Sequence, residues 1–437
     1  MTLAGDMRAR GGPAGTSEMP HPRDLSPQLR FVESEEWFAC GPPPAAPQGW
    51  KLYVPATILN ARQLVELVYQ LASRAGLHFK YIKTTALLRK LNAGLFGYSQ
   101  VGKAVVIYLP QPDTRFLSAL KNSLAIHRDQ CPAVPCAIPF GDDLPLYYRY
   151  GSYRNRRLQV GADDIEDDRT NAKSAVPAGI KDLLKGYTSP LETPAEVQSF
   201  LLRYPPYEAI QQQGKGGIFI GLNLASEEFQ EVILKVGYHR GMMQLDGGDG
   251  CTLLRRELAF YRELAARGMA SEAPRLVDAL DTSRKVILVL EYIAGSNLLL
   301  RRLQNQLTVE HLEKCWRILE RLHNAGLCLG DAKLANFLAD DDGNVRVLDF
   351  ETAGIIGDPP SPIRTFHIKP EFPYVCTADL AHFLASVLYP YSEQDPASPP
   401  DQSFDLRAWV NRDPETETAA WACNRLRELL DCVTTPA

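Results

Sequence analysis

The chain has 437 residues, enough for two or three domains, and its 45% hydrophobic and 23% charged content is that of an ordinary soluble protein. A net charge of −5 carries no nucleic-acid-binding footprint, and no apolar run approaches the roughly 20 residues that a membrane span needs. Nine scattered cysteines form no C-x-x-C pair, which argues against a zinc site and for reduced thiols in a cytoplasmic enzyme.

Residues 1–30 lack an apolar signal core and read as a disordered tail. The spacing then predicts a strand over 50–54 and a helix over 61–75 with Leu64, Leu67, Val68 and Leu71 on one face. A continuous apolar strand follows over 104–109, then an amphipathic helix over 114–128. Residues 31–160 thus read as an α+β domain with its own core. The acidic stretch GADDIEDDRTNAK places a linker over 161–185. From 186 to 437, strands over 217–222, 232–236 and 286–291 surround a helix over 252–266. Helices then dominate from about 294. A small sheet-rich half followed by a helical half is the order of a bilobal protein-kinase-like domain.

The segment 323–353, HNAGLCLGDAKLANFLADDDGNVRVLDFETA, supplies the chemistry. Asp331, Lys333, Asn336 and Asp349 stand in the D-x-K-x-x-N…D-F order of a phosphoryl-transfer site. A helix over 309–325 ends at Gly326, the loop follows, and a strand over 345–348 delivers Asp349. Asp331 is placed to accept the acceptor hydroxyl's proton. Asn336 and Asp349 are placed to hold Mg²⁺ on the nucleotide phosphates, the nucleotide being ATP or GTP. Lys235, centred in the apolar strand VILKV, must find an anion because an unpaired buried ammonium is costly. Glu257 is its expected partner, with Glu263 as the alternative. Gly214, Gly216 and Gly217 allow backbone amides to approach phosphate. Glu291 ends a strand where adenine would meet a connector. Asp379 reads either as a brace for the catalytic loop or as a simple helix N-terminal carboxylate. Two positions depart from signalling kinases. Gly330 precedes Asp331, and Glu351 replaces the glycine after Asp349-Phe350. Both favour an enzyme that needs no activating phosphorylation.

The run GWKLYVPATILNARQLVELVYQLASRAGLHFKYIKTTALLRKLN, with YSQVGKAVVIYLP and LYYRYGSY after it, resembles the lyase domain of class III and IV lanthipeptide synthetases. The likeness spans about 49–152, and residues 210–388 follow as the kinase of such enzymes. The resemblance implies phosphorylation of Ser or Thr in a precursor peptide that carries a leader and a Ser/Thr/Cys core. Elimination of phosphate would then give dehydroalanine or dehydrobutyrine. It maps the lyase base to Lys80, with Lys83 as the alternative. It maps the K-x-H lysine to Lys51 and the phosphate ligands to Lys103 and Arg149. The general-acid histidine of that motif falls at Tyr53, whose ordinary pKa of about 10 makes it a weaker acid. The residues beyond about 392 are too few for a cyclase toroid, so a two-domain protein is expected. Ring closure would fall to a separate cyclase or a flavin-dependent cysteine decarboxylase, as in lipolanthine-type pathways. Competing readings are a peptide kinase with an inactive, phosphopeptide-binding lyase-like domain, a small-molecule phosphotransferase, and a non-catalytic scaffold.

Overall fold

In a computed structural model, residues 18–141, 143–188, 193–243, 247–358, 367–369, 372, 375–390, 403–411 and 413–434 are described. They divide into two units. The first comprises 1–198 with 211–217 and 237–251, and the second 199–210, 218–236 and 252–437.

The first unit opens with a short helix, α1 (Pro22–Leu25), and two strands, β1 (Phe31–Glu33) and β2 (Trp37–Cys40). Then come β3 (Gln48–Val54), α2 (Ala61–Arg74), β4 (His78–Ile82), α3 (Thr85–Ala93), β5 (Val105–Leu109) and α4 (Thr114–Leu124). After these run β6 (Ile138–Pro139), β7 (Tyr147–Ser152), β8 (Arg157–Val160) and β9 (Asp163–Glu166). Seven strands form one antiparallel sheet in the order β1-β2-β4-β5-β3-β7-β6. Strand alternation gives this sheet two different faces. Trp50, Leu52, Phe79, Ile107 and Tyr148 join Leu64, Val65 and Val68 of α2 and Phe116, Leu117 and Leu120 of α4 in the core. Truncating such a side chain to Ala costs about 2–5 kcal/mol through lost burial and the cavity left behind. The opposite face carries Lys51, Tyr53, His78, Lys80, Val106, Tyr108, Tyr147 and Arg149. The register sets Lys51 opposite both Arg149 and Tyr108, Lys80 opposite Val106, and Tyr53 opposite Tyr147.

Helix ends follow local chemistry. Asp113 caps α4 by accepting the amides of Arg115 at 2.8 Å and Phe116 at 3.0 Å. The helix expected over 114–128 stops at Leu124 and tightens into a 3₁₀ turn over Ala125–His127. Two other expectations need correction. Residues 18–30 are not a disordered tail: Met19 is buried, and Tyr81 donates its hydroxyl to the Pro20 carbonyl at 2.8 Å. Residues 1–17 lie outside the described residues. Residues 161–185 do not run as a linker. They begin within the β8–β9 hairpin, which turns at Gly161 with φ +62°, and then bury Asp167, Ala175 and Leu184. An acidic sequence can be buried where each carboxylate finds a cation, as Asp167 does with Arg149 and Arg169.

The second unit begins within α5 (Ala195–Arg203). Its strands β10 (Pro206–Gln213), β11 (Gly216–Leu222), β12 (Glu231–Tyr238), β13 (Leu276–Asp281) and β14 (Lys285–Glu291) make a sheet in the order β10-β11-β12-β14-β13. Between β12 and β13 runs α6 (Gly250–Ala266). Next come β15 (Gly295–Asn297), α7 (Leu298–Leu303) and α8 (Val309–Asn324), whose buried stripe is Leu312, Cys315, Ile318, Leu319 and Leu322. Then β16 (Leu327–Cys328), β17 (Phe337–Asp340), β18 (Val345–Val347) and β19 (Gly354–Ile355) flank the loops that carry Asp331 and Asp349. The helices α9 (Val375–Leu388), α10 (Leu406–Val410) and α11 (Glu417–Thr434) complete the described residues of this unit apart from two short strands. The whole is a mixed helix-and-strand protein, as expected from the sequence. Among the described residues no helix is long and apolar enough to cross a membrane. The described cysteines are free thiols.

One glycine is fixed by close approach. A Cβ on Gly214 would lie 1.8 Å from the Asn92 carbonyl oxygen, and the Gly214 amide donates to the Ala93 carbonyl at 3.2 Å. The amide expected to reach nucleotide phosphate is therefore committed elsewhere. Gly216 and Gly217 are buried and open β11. Gly214→Ala is expected to destabilise the protein by about 1–3 kcal/mol through overpacking. A lowered thermal unfolding midpoint by circular dichroism would show it; an unchanged midpoint would mean that the loop does not sit against Asn92.

Candidate functional site

Two sets of functional side chains emerge, one in each unit. In the second unit, β12 presents Lys235 to α6. Its Nζ lies 2.7 Å from both Glu257 carboxylate oxygens and 3.2 Å from Asp349 Oδ1. Glu257 is fully buried. Burial opposes charge on Lys235, but Asp349 and Glu257 outweigh it and hold the ammonium well above the usual lysine range. Burial likewise pushes Glu257 up, with Lys235 pulling it back. Two 2.7 Å contacts mark an ionic pair, and Glu257 rather than Glu263 is the partner. Glu263 instead pairs with Arg267 at 3.1 Å on its own helix.

The loop residues are equally fixed. Lys333 Nζ is 2.7 Å from Asp331 Oδ2, and Asn336 Nδ2 donates to the Asp331 carbonyl at 3.0 Å. The Leu348 amide donates to the Asn336 carbonyl at 2.7 Å, tying the two loops together. Asp379 is buried and accepts the amides of Leu329 at 2.7 Å and Gly330 at 2.8 Å. That is the bracing role, not that of a helix N-terminal carboxylate. Gly330 has φ +74°, and a Cβ there would lie 2.5 Å from the Thr352 carbonyl oxygen, so glycine fits where a larger residue would not. Asp349 also has a left-handed φ, +64°, a strained setting for a non-glycine residue. Phe350 holds that turn from below, with its ring 4.8 Å from Phe260 and 5.1 Å from Tyr261 of α6. Glu351 brings a third carboxylate within 4.8 Å of Glu257 and Asp349. Glu291 has a structural engagement: its carboxylate accepts the Arg275 amide at 3.0 Å and meets Arg346 at 3.3 Å.

In the first unit the polar face of the sheet gathers the residues that the sequence singled out. Lys51 is buried and donates to the Ser152 carbonyl. Burial, then Arg169, with Arg149 and Lys103 adding and Asp167 opposing, lowers its pKa to about 7. Lys103 is buried over the Tyr53 ring, 4.6 Å from its centroid, and is lowered to about 7 by burial and by Arg149 and Arg169. Lys80 stands 4.1 Å over the Trp37 ring, and burial and Arg169 lower it to about 8. Burial raises the Tyr53 hydroxyl well above its ordinary range. Lys83 is engaged by Glu33 and stands over Phe38, a core side chain. Arg149 donates through Nη2 to Asp167 Oδ1 at 2.9 Å, while its buried Nε and Nη1 have no hydrogen-bond partner among the described residues. Buried N–H groups left over in this way fit an anion.

The sequence reading missed Asp167 and Arg169. A signal was there: RLQV and DDIE flank Gly161 as a hairpin does, which argues against a solvated linker.

Residues 18–177 match the family described as RamC, N-terminal domain. The chain is 24% identical over 353 residues to the "Probable SapB synthase" of Streptomyces coelicolor, covering 74% of this chain and 37% of that protein. It thus spans little more than a third of that relative's length. The human hormonally up-regulated neu tumor-associated kinase is 33% identical over 91 residues, 19% of this chain and 13% of that one. The maternal embryonic leucine zipper kinase of Danio rerio is 27% identical over 164 residues, covering 36% and 22% of the two chains. The likeness to class III lanthipeptide synthetases read from the sequence is thereby borne out: residues 18–177 match the RamC N-terminal domain family, and the chain is similar to a synthase of that class over about three quarters of its length.

Proposed function

We propose that this chain dehydrates Ser or Thr residues of a precursor peptide in two steps, phosphorylation in the second unit and elimination in the first. The observation that carries the reading is the cluster of the buried Lys51, Lys103 and Arg149 with the half-buried Lys80, whose three lysines have pKa values lowered to about 7 or 8, in a chain that also bears the Lys235–Glu257–Asp349 arrangement. A surface of solvated cations would keep ordinary lysine pKa values.

For phosphorylation, Lys235 contacts the nucleotide phosphates and Glu257 fixes it. Asp331 accepts the proton of the peptide hydroxyl as oxygen attacks phosphorus. The donor set fits Mg²⁺: Asn336 and Asp349 would hold it, because the Asn336 amide nitrogen donates to the Asp331 carbonyl and leaves the amide oxygen as the donor to a cation, and Asp349 adds a carboxylate. When bound, Mg²⁺ supplies charge neutralisation on the transferred phosphoryl group. For elimination, the neutral amine of Lys80 takes the Cα proton. The Cβ–O bond breaks, a Cα–Cβ double bond forms, and phosphate leaves with the electron pair. Arg149, Lys103 and Lys51 carry its charge.

A second reading is favoured by Tyr53. Its raised pKa makes it a poor proton donor, which suits a unit that binds the phosphopeptide without converting it. Intact-mass analysis of a Ser-containing precursor peptide incubated with the protein, nucleotide and Mg²⁺ separates the two. Net loss of one water per modified Ser is expected; phosphate gain without water loss would sink the elimination half.

A further inference from the structure

We infer that Arg169 is a ligand of the peptide's phosphomonoester in the first unit, and that Asp167 is the positioning residue that holds Arg169 and Arg149 together at that anion. The inference rests on the elimination reading for its chemistry, though the binding claim can be tested without it.

Asp167 has no exposed side-chain surface. One oxygen meets Arg149 Nη2 at 2.9 Å. The other meets Arg169 Nε at 2.9 Å and Nη2 at 2.7 Å, and accepts the Ser152 amide at 3.2 Å. A single carboxylate therefore fixes two guanidinium groups, each a planar fork suited to phosphate. Gly151 makes room for this: a Cβ there would lie 3.1 Å from Asp167 Oδ2 and 3.5 Å from Lys51 Nζ. The two arginines differ in access. The Arg149 side chain is 1% exposed and that of Arg169 is 26% exposed, so Arg169 is the one an arriving ligand meets first. The charge of Arg169 also acts on Lys51, Lys80, Lys103, Tyr53 and Tyr108. Lys51, Lys80, Lys103, Arg149 and Arg169 outnumber the carboxylates Asp167, Asp168 and Glu36 that act on them, which leaves room for a dianion of the phosphomonoester class.

The test uses the full chain and a synthetic phosphoserine peptide. Wild type, Arg169→Ala, Arg169→Lys and Asp167→Asn are compared by equilibrium binding and by elimination kinetics, with thermal unfolding as a check on folding. Arg169→Ala is expected to raise Kd and KM at least tenfold with a smaller change in kcat, and Arg169→Lys to recover part of the loss. The split between KM and kcat and the partial rescue by Arg169→Lys are the readouts that a structural role would not move, and the pH profile adds the electrostatic coupling. The charged groups acting on Lys51 are Arg169, Arg149, Lys103 and Asp167, and those acting on Lys80 are Arg169 and Glu36. Loss of Arg169 relieves Lys80, so the rising limb moves to higher pH. Loss of the Asp167 charge leaves Lys51 and Lys103 less supported, so the falling limb moves to lower pH. Unchanged Kd, KM and limbs in folded Arg169→Ala and Asp167→Asn would overturn the inference. If Arg169→Ala does not fold, Arg169→Gln and Asp167→Asn decide on the same readouts. If wild type binds the peptide but does not eliminate, the dehydratase reading fails alone, and Kd still decides the role of Arg169. If wild type does not bind it, both fail.

Discussion

Replacing Asp331 with Asn is expected to lower peptide phosphorylation by about a thousandfold, within the range for loss of a positioned general base. The change keeps the shape and removes the proton acceptor. The loop around it is held by other groups, Asp379 on the Leu329 and Gly330 amides and Asn336 on the Asp331 carbonyl. Folding should therefore survive, and a peptide supplied with phosphoserine already in place should still be processed. Quantifying phosphopeptide by mass spectrometry at saturating nucleotide checks this. More than a tenth of wild-type activity in the variant would remove Asp331 from its assigned role.

The second large effect belongs to Lys80→Ala. Phosphopeptide should accumulate, because elimination loses its base while phosphorylation continues; a drop of roughly a hundredfold or more is expected. The wild-type pH profile tests the same assignment. Lys80 must be neutral to take a proton, so kcat/KM rises as pH climbs towards its pKa of about 8. Lys51 and Lys103 must be charged to hold phosphate, and they lose their protons above about 7. The product of these three fractions is a bell with its maximum near pH 7, falling on both sides. A rate that climbs steadily to pH 9 would show that the charges of Lys51 and Lys103 are not needed. An unchanged ratio of dehydrated to phosphorylated peptide in Lys80→Ala would pass the role of base to another amine.

Much of the second unit was legible because its polar residues sit at forced positions. A lysine amid VILKV has no water to face, so it had to find Glu257, and the order of Asp331, Asn336 and Asp349 carried its own spacing. Glu291 and Gly214 were read less well. Each sits where the motif would put it, yet local partners claim them, Arg275 and Arg346 for the one and Ala93 for the other. In the first unit, Lys51, Lys80 and Arg149 were named from resemblance. Their shared face became visible only with the register that pairs β3 with β7 and β4 with β5. Asp167 stayed hidden because composition reports average solvation, whereas its burial depends on Arg149, 18 residues away in sequence. The strands β10 and β13 escaped for a related reason: β10 is polar and largely exposed, and β13 is half-buried along most of its length, so neither shows a clean period.

The two-faced sheet has a consequence for how this protein can change. In β3, Trp50 and Leu52 point into the core while Lys51 and Tyr53 point the other way. Slipping β3 by a single residue would carry ammonium into the oil and indole onto the face of the cations. Insertions and deletions in that strand are thus barred twice over, once by folding and once by chemistry. Helix α2 carries only the first constraint. Sequence drift should be freest where only one of the two debts is owed, and slowest along the strand where a single backbone step decides both.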